Sequence, residues 1–205
     1  MEPNIELVPR AIAGESLALE VLLLRHYEPL LARLSAQLHG DHAALVSAED
    51  VLQETLVQAV RDIRTCRADS EQSFANWLLT IADHRQRDAL RKAKTRRKMA
   101  APRTNVAANG LSSGADLWEL VVDGHPTPSA DAARRENVAA LQIGLATLPS
   151  DQRKAIQLYF LDQVGLEETG AAMSRSADAV RGLLHRAKRR LRAFLGRSSH
   201  WLLKR

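Results

Sequence analysis

The sequence predicts an all-α protein, two small helical domains joined by a flexible linker, with a helix-turn-helix in the second. Three observations lead there. Leucine and alanine are abundant and runs of β-branched residues are nearly absent, so local preference is helical. Apolar residues recur at helical spacing on both sides of a central stretch where the pattern fades. That stretch, residues 100–131, is rich in Ala, Asn, Gly, Ser and Pro and contains Asn109-Gly110, Ser112-Ser113-Gly114 and Pro126-Thr127-Pro128, the composition of a tether. The expected domains are therefore 1–99 and 132–205.

The first domain holds three main helical segments. The first covers about Gly14 to Leu38, with a break expected near Pro29 because proline lacks the N–H that a helix interior needs. The second opens with Ser47 as N-cap and Asp50 three residues on, a capping-box pattern with aspartate in the usual place of glutamate. Leu52, Leu56, Ala59, Val60 and Ile63 share its core side, while Asp50, Gln53, Glu54 and Gln58 surround Val57 on the other. Such an arc fits a solvated face, and an apolar residue centred in an acidic patch equally fits a protein contact.

The third segment, Phe74 to Lys98, changes character along its length. Phe74, Trp77, Leu78, Ile81 and Ala82 form an apolar stripe that anchors its start. Arg85, Arg87, Arg91, Lys92, Lys94, Arg96, Arg97 and Lys98 follow, against Asp88 alone. Asn76, Thr80, Asp83, Arg87 and Arg91 recur on a separate face, a polar stripe able to track a nucleic-acid strand beside Trp77.

Within the tether, Asp116 to Val122 with Trp118 is apolar enough to dock, although a local contact explains it as well. Beyond it, Leu166–Ser174 and Ala177–Leu195 read as two helices joined by a tight turn. Val180, Leu183, Leu184, Ala187, Leu191 and Phe194 share one arc of the second, and Asp178, Arg181, His185, Lys188, Arg189 and Arg192 the other. A short helix, a tight turn and a basic amphipathic helix are the sequence form of a helix-turn-helix, whose second helix lies in the DNA major groove.

Composition narrows the classes. The 205 residues are 45% apolar but only 4% aromatic, so Leu, Ala, Val and Ile must supply the packing. A net charge of +5 favours an acidic partner, nucleic acid above all. The single cysteine, Cys66, excludes an internal disulfide and any multi-cysteine zinc site. No apolar run approaches a membrane span, and Met1 to Arg10 lacks the basic start and apolar core of a signal peptide, so a cytoplasmic protein without membrane insertion is expected. His39 and His42 lack a third ligand nearby in sequence, and His84 with Asp88 is a helical surface pair. With neither a phosphate-cradling glycine loop nor a nucleophile elbow, no enzyme, metal or cofactor is expected. A stand-alone helix-turn-helix regulator remains the alternative; it leaves the basic run at Arg85 to Lys98 without a task.

Ala48-Glu49-Asp50-Val51-Leu52-Gln53-Glu54-Thr55, followed by Phe74-Ala75-Asn76-Trp77-Leu78 through Ile81-Ala82 to Asp88-Ala89-Leu90-Arg91-Lys92, resembles region 2 of bacterial extracytoplasmic-function (ECF) sigma factors. Leu148-Pro149-Ser150-Asp151-Gln152-Arg153, Leu166-Glu167-Glu168, Val180-Arg181 and Leu184-His185-Arg186-Ala187 are similar to their region 4. The resemblance implies a factor that binds core RNA polymerase through its clamp helices and flap, recognises promoter DNA, and is held in check by an anti-sigma protein. Carried over by position, Asp50, Gln53 and Glu54, with Val57 among them, would meet the clamp helices. Asn76, Trp77, Thr80, Arg87, Arg91 and Lys92 would face the upstream part of the melted −10 element, and the loop from about Arg64 to Ser73 would receive an extruded base. Asp178, Arg181, Gly182 and His185 would reach base edges of the −35 element, and Arg186, Lys188, Arg189 and Arg190 its phosphates. The chain departs from the pattern at Asp83-His84, where Arg-Asn is usual; at Ser174 in place of a turn glycine; at Arg175 in place of an apolar residue; at Thr169-Gly170; and at Leu183 in place of a frequent arginine.

Overall fold

A computed structural model of the chain describes residues 7–99 and 131–202. These are helical throughout, apart from turns and short 3-10 and π segments. The chain divides into two compact units, Met1–Asn105 and Val106–Arg205. The stretch from Ala100 to Ala130, with the Trp118 segment, lies outside the described residues.

In the first unit α1 spans Leu7–Ile12, α2 Ser16–Gln37, α3 Ala48–Asp62 and α4 Glu71–Met99, with 3-10 turns at Gly40–His42 and Ile63–Thr65. The short α1 was not foreseen; it buries Val8 and Ala11. The expected break at Pro29 does not occur, and α2 runs through it. Pro29 lies on the exposed side of the helix. An interior proline costs about 3 kcal/mol. Tyr27, Leu30 and Leu34 are buried on the opposite side, and at about 1.5–3 kcal/mol for each large apolar side chain their burial outweighs the proline.

Helix α3 is capped as expected, Ser47 Oγ accepting from the N–H groups of Glu49 and Asp50 at 3.2 and 3.4 Å. Its core stripe is rotated slightly from the expected one. Val51 and Thr55 are buried with Leu52, Leu56, Ala59 and Ile63, and Val60 is only half-buried. Thr55 can be buried because its hydroxyl donates to the Val51 carbonyl at 2.7 Å.

Helix α4 begins one turn earlier than the sequence suggested, which shortens the loop expected from Arg64 to Ser73. Ser70 Oγ accepts from Ser73 N–H at 3.2 Å, and Ser73 Oγ accepts from Ser70 N–H at 3.0 Å. This is a reciprocal capping box with serine in place of glutamate. Phe74, Leu78 and Ala82 fix the helix in the core, whereas Trp77 and Ile81 are half-buried.

In the second unit α5 spans Asp131–Thr147, α6 Ser150–Ile156 with a π turn at Gln157–Leu161, α7 Leu166–Met173 and α8 Ala177–Leu202. Every residue assigned to the core arc of α8 is buried, joined by Leu195. Gly144 lets α5 and α8 come close, since a Cβ there would lie 3.1 Å from both Leu191 Cδ2 and Phe194 Cδ1. Arg153 closes the C-terminus of α5 by donating to the Ala146 and Leu148 carbonyls at 3.0 and 3.3 Å, a cation at the negative end of the helix.

Candidate polymerase and nucleic-acid interfaces

Three helical faces carry the residues singled out by sequence. On α3, Asp50 and Glu54 are exposed and Gln53 and Val57 half-buried, so the four lie along one side of the helix. Glu49 and Asp50 in the first turn complement the positive end of the helix dipole. Gln53 Oε1 is buried and accepts no hydrogen bond among the described residues. Such an acceptor is costly unless something supplies a donor.

The α4 stripe is continuous. Asn76, Thr80, Arg87, Arg91 and Lys92 are exposed and Asp83 is half-buried. Thr80 donates to the Asn76 carbonyl at 2.9 Å and Arg87 Nε to the Asp83 carbonyl at 3.0 Å, which holds both side chains along the helix. Arg91 pairs with Asp88 at 3.2 Å, so the carboxylate expected to face His84 is turned toward the next turn instead. The half-buried indole of Trp77 lies 5.6 Å from the Phe74 ring, a tilted pair that leaves part of the indole open to a stacking base.

The segment before α4 is compact. Cys66 is buried and the loss of solvation pushes its thiol pKa up, against a smaller opposing effect of a backbone hydrogen bond at Ala68, which favours an inert thiol over a redox switch. Hydrogen bonds from Ser73 and Ser70 hold the Asp69 carboxyl below its usual range.

On α8, Asp178, Arg181, His185, Arg186, Arg189 and Arg190 are exposed, and Gly182 and Lys188 are half-buried. Arg181 pairs with Asp178 one turn before it. Lys188 is drawn to the edge of the face, its ammonium 5.0 Å from the centre of the Phe160 ring, which in turn packs edge-on against the exposed Tyr159. The sequence offered no hint of this contact, because it depends on the π turn that aims Phe160 at α8.

The turn before α8 holds three departures from the family pattern. Ser174 adopts a left-handed conformation (φ 54°, ψ 44°) where glycine is usual. Its N–H donates to the Ala171 carbonyl at 3.2 Å and the Arg175 N–H to the Gly170 carbonyl at 2.9 Å, the paired bonds of a Schellman ending. Gly170 has a steric role in this ending. The turn backbone crosses so near that a Cβ at this position would lie 2.7 Å from the Arg175 carbonyl oxygen. Arg175 points outward to Asp151 at 3.6 Å, which accounts for a charge at a commonly apolar position.

Among the described residues no three His, Cys, Asp or Glu side chains gather as a metal site, and no helix is long and apolar enough to cross a membrane. His39 is occupied locally, its Nδ1 lying 2.8 Å from the Ala36 carbonyl oxygen.

Residues 23–96 match the family model of Sigma-70 region 2 and residues 144–193 that of Sigma-70, region 4. RNA polymerase sigma factor CarQ of Myxococcus xanthus is 31% identical over 174 residues, 83% of this chain and 89% of that protein. ECF RNA polymerase sigma factor SigM of Mycobacterium tuberculosis is 29% identical over 196 residues, 94% of this chain and 85% of the relative. The ECF RNA polymerase sigma-E factor of Escherichia coli K12 is 28% identical over 183 residues, covering 89% and 88%. With both regions in order and relatives matched over most of their length, the chain belongs to the extracytoplasmic-function RNA polymerase sigma factors, which bind core RNA polymerase and direct it to promoters through their −10 and −35 elements.

Proposed function

We propose a division of labour among the three faces. The α3 face of Asp50, Gln53, Glu54 and Val57 docks on the clamp helices of core polymerase, where a donor from the partner would satisfy the orphaned Gln53 oxygen. Asn76, Trp77, Thr80, Arg87, Arg91 and Lys92 take the upstream −10 element, Trp77 by stacking and the arginines by phosphate contact. Asp178, Arg181, Gly182 and His185 read −35 base edges while Arg186, Lys188, Arg189 and Arg190 hold phosphates. Gly182 suits that role because it keeps the middle of the DNA-facing side low, letting helix backbone approach the bases.

The observation that carries this reading is the pair of cationic, solvent-facing helices in separate units, one beside a half-open tryptophan and the other behind a helix-turn-helix turn. A stand-alone regulator needs only the second. The factor acts in the cytoplasm without catalysing a reaction itself, contacts the polymerase flap through its second unit, and is restrained by an anti-sigma protein; family membership supports each of these. Purified core polymerase with this chain should initiate from defined sites on a randomised promoter pool. Core polymerase that gains no site selectivity from the chain refutes the reading.

A further inference from the structure

Asp83 is the only carboxylate among the stripe residues Asn76, Thr80, Asp83, Arg87 and Arg91. A carboxylate there repels the phosphates that its neighbours attract. One guanidinium approaches this carboxylate: Arg33, from α2, brings Nη2 to 3.6 Å from Asp83 Oδ1, whereas Arg87 Nε donates to the Asp83 backbone carbonyl at 3.0 Å and so lies along the same face. The Arg33 and Asp83 side chains stay 45% and 39% exposed, too open for the pair to contribute much to folding. Among the described residues the carboxylate accepts no hydrogen bond, so its acceptor capacity is unspent. The pair thus leaves an acceptor and a cation side by side on the face that meets a strand.

We propose that Arg33 and Asp83 form a base-reading couple on the −10 face. Asp83 accepts a hydrogen bond from an exocyclic base amine, while Arg33 holds that carboxylate in place and covers the adjacent phosphate. Adenine, cytosine and guanine carry such an amine; thymine carries none, and its one donor, N3–H, lies between two carbonyl oxygens that the carboxylate repels. The couple therefore discriminates against thymine at one upstream −10 position. It also adds α2 to a surface otherwise built from α4. Arg33 is a positioning residue for the readout and a phosphate contact in its own right.

This inference rests on the −10 assignment of α4, and one experiment separates the two. Holoenzyme reconstituted with the full chain is given templates randomised through the −10 element, and base ratios are read from the transcripts. Wild type should disfavour thymine at one upstream position by about fivefold or more, the discrimination a single good base contact supplies. Asp83→Ala should abolish that bias and leave the other positions alone. Asp83→Asn, which keeps an acceptor oxygen and the side-chain shape, should retain part of it. Arg33→Gln should lower output across the pool and weaken the bias at the same position. If both Asp83 variants keep wild-type ratios at every position, the couple is refuted while the −10 assignment stands. If wild type itself shows no −10 preference, both fall.

Discussion

Replacing Gly170 by alanine tests the helix-turn-helix geometry most directly, because packing and propensity give opposite signs. In an ordinary helix interior the change stabilises by about 1 kcal/mol. Here the new methyl would lie 2.7 Å from the Arg175 carbonyl oxygen, 3.4 Å from Ala177 N and 3.5 Å from Ser176 C, all backbone atoms of the turn. No rotamer relieves such a clash, so the turn must open. Opening lengthens or breaks the Arg175-to-Gly170 and Ser174-to-Ala171 bonds, worth about 1 kcal/mol each, and overpacking adds about 1–3 kcal/mol. With both bonds lost and the propensity gain subtracted, the net loss is about 2–4 kcal/mol. Gly182→Ala is the control: the three atoms nearest its methyl would all belong to the Arg186 guanidinium, the first at 3.3 Å, and that group can swing away. This substitution should stabilise α8 by up to about 1 kcal/mol. Hydrogen exchange of the α7 and α8 amides in full-length protein measures both. A more protected Gly170→Ala variant would refute the close crossing of turn and helix.

Ser174→Gly should stabilise the second unit by about 1 kcal/mol in denaturant unfolding, since glycine adopts the left-handed conformation without the strain serine bears there. His26, with Glu71 at 3.5 Å and the Phe74 ring at 5.8 Å, has its pKa lowered chiefly by burial and further by Arg25, against the opposing pull of Glu71. A depressed folded pKa means that the unfolded chain takes the proton first, so this contribution is intact above the unfolded value of 6.5 and is lost as pH falls from there toward the folded pKa. Melting between about pH 7.5 and about pH 5 should show an acid-side loss in wild type that Gln at position 26 reduces. Arg181→Ala should weaken −35 recognition by about 1–3 kcal/mol at one base position; unchanged transcription from every −35 variant would remove Arg181 from the reading set. Asp50→Lys with Glu54→Lys should reverse the charge of the α3 face, and co-purification with core polymerase should fall sharply; retention at wild-type levels would place the contact elsewhere.

Periodicity and capping chemistry are local properties, and the sequence by itself determined what depends on them: the helical class, the Ser47 cap, the buried arc of α8 and the segregation of cations onto α4 and α8. These follow because a helix repeats every few residues and one apolar face must leave water. Energies that cross between segments were out of its reach. Only tertiary packing carries α2 through Pro29, since the burial that outweighs the proline comes from Tyr27, Leu30 and Leu34 in a core other helices build. The reciprocal Ser70–Ser73 cap escaped notice because serine there lacks the length of the expected glutamate and succeeds through the compact turn. Gly170, Lys188 and Arg33 share one cause: each answers to a group on another turn or helix, the Arg175 carbonyl, the Phe160 ring and the Asp83 carboxylate, which only the folded chain brings within reach.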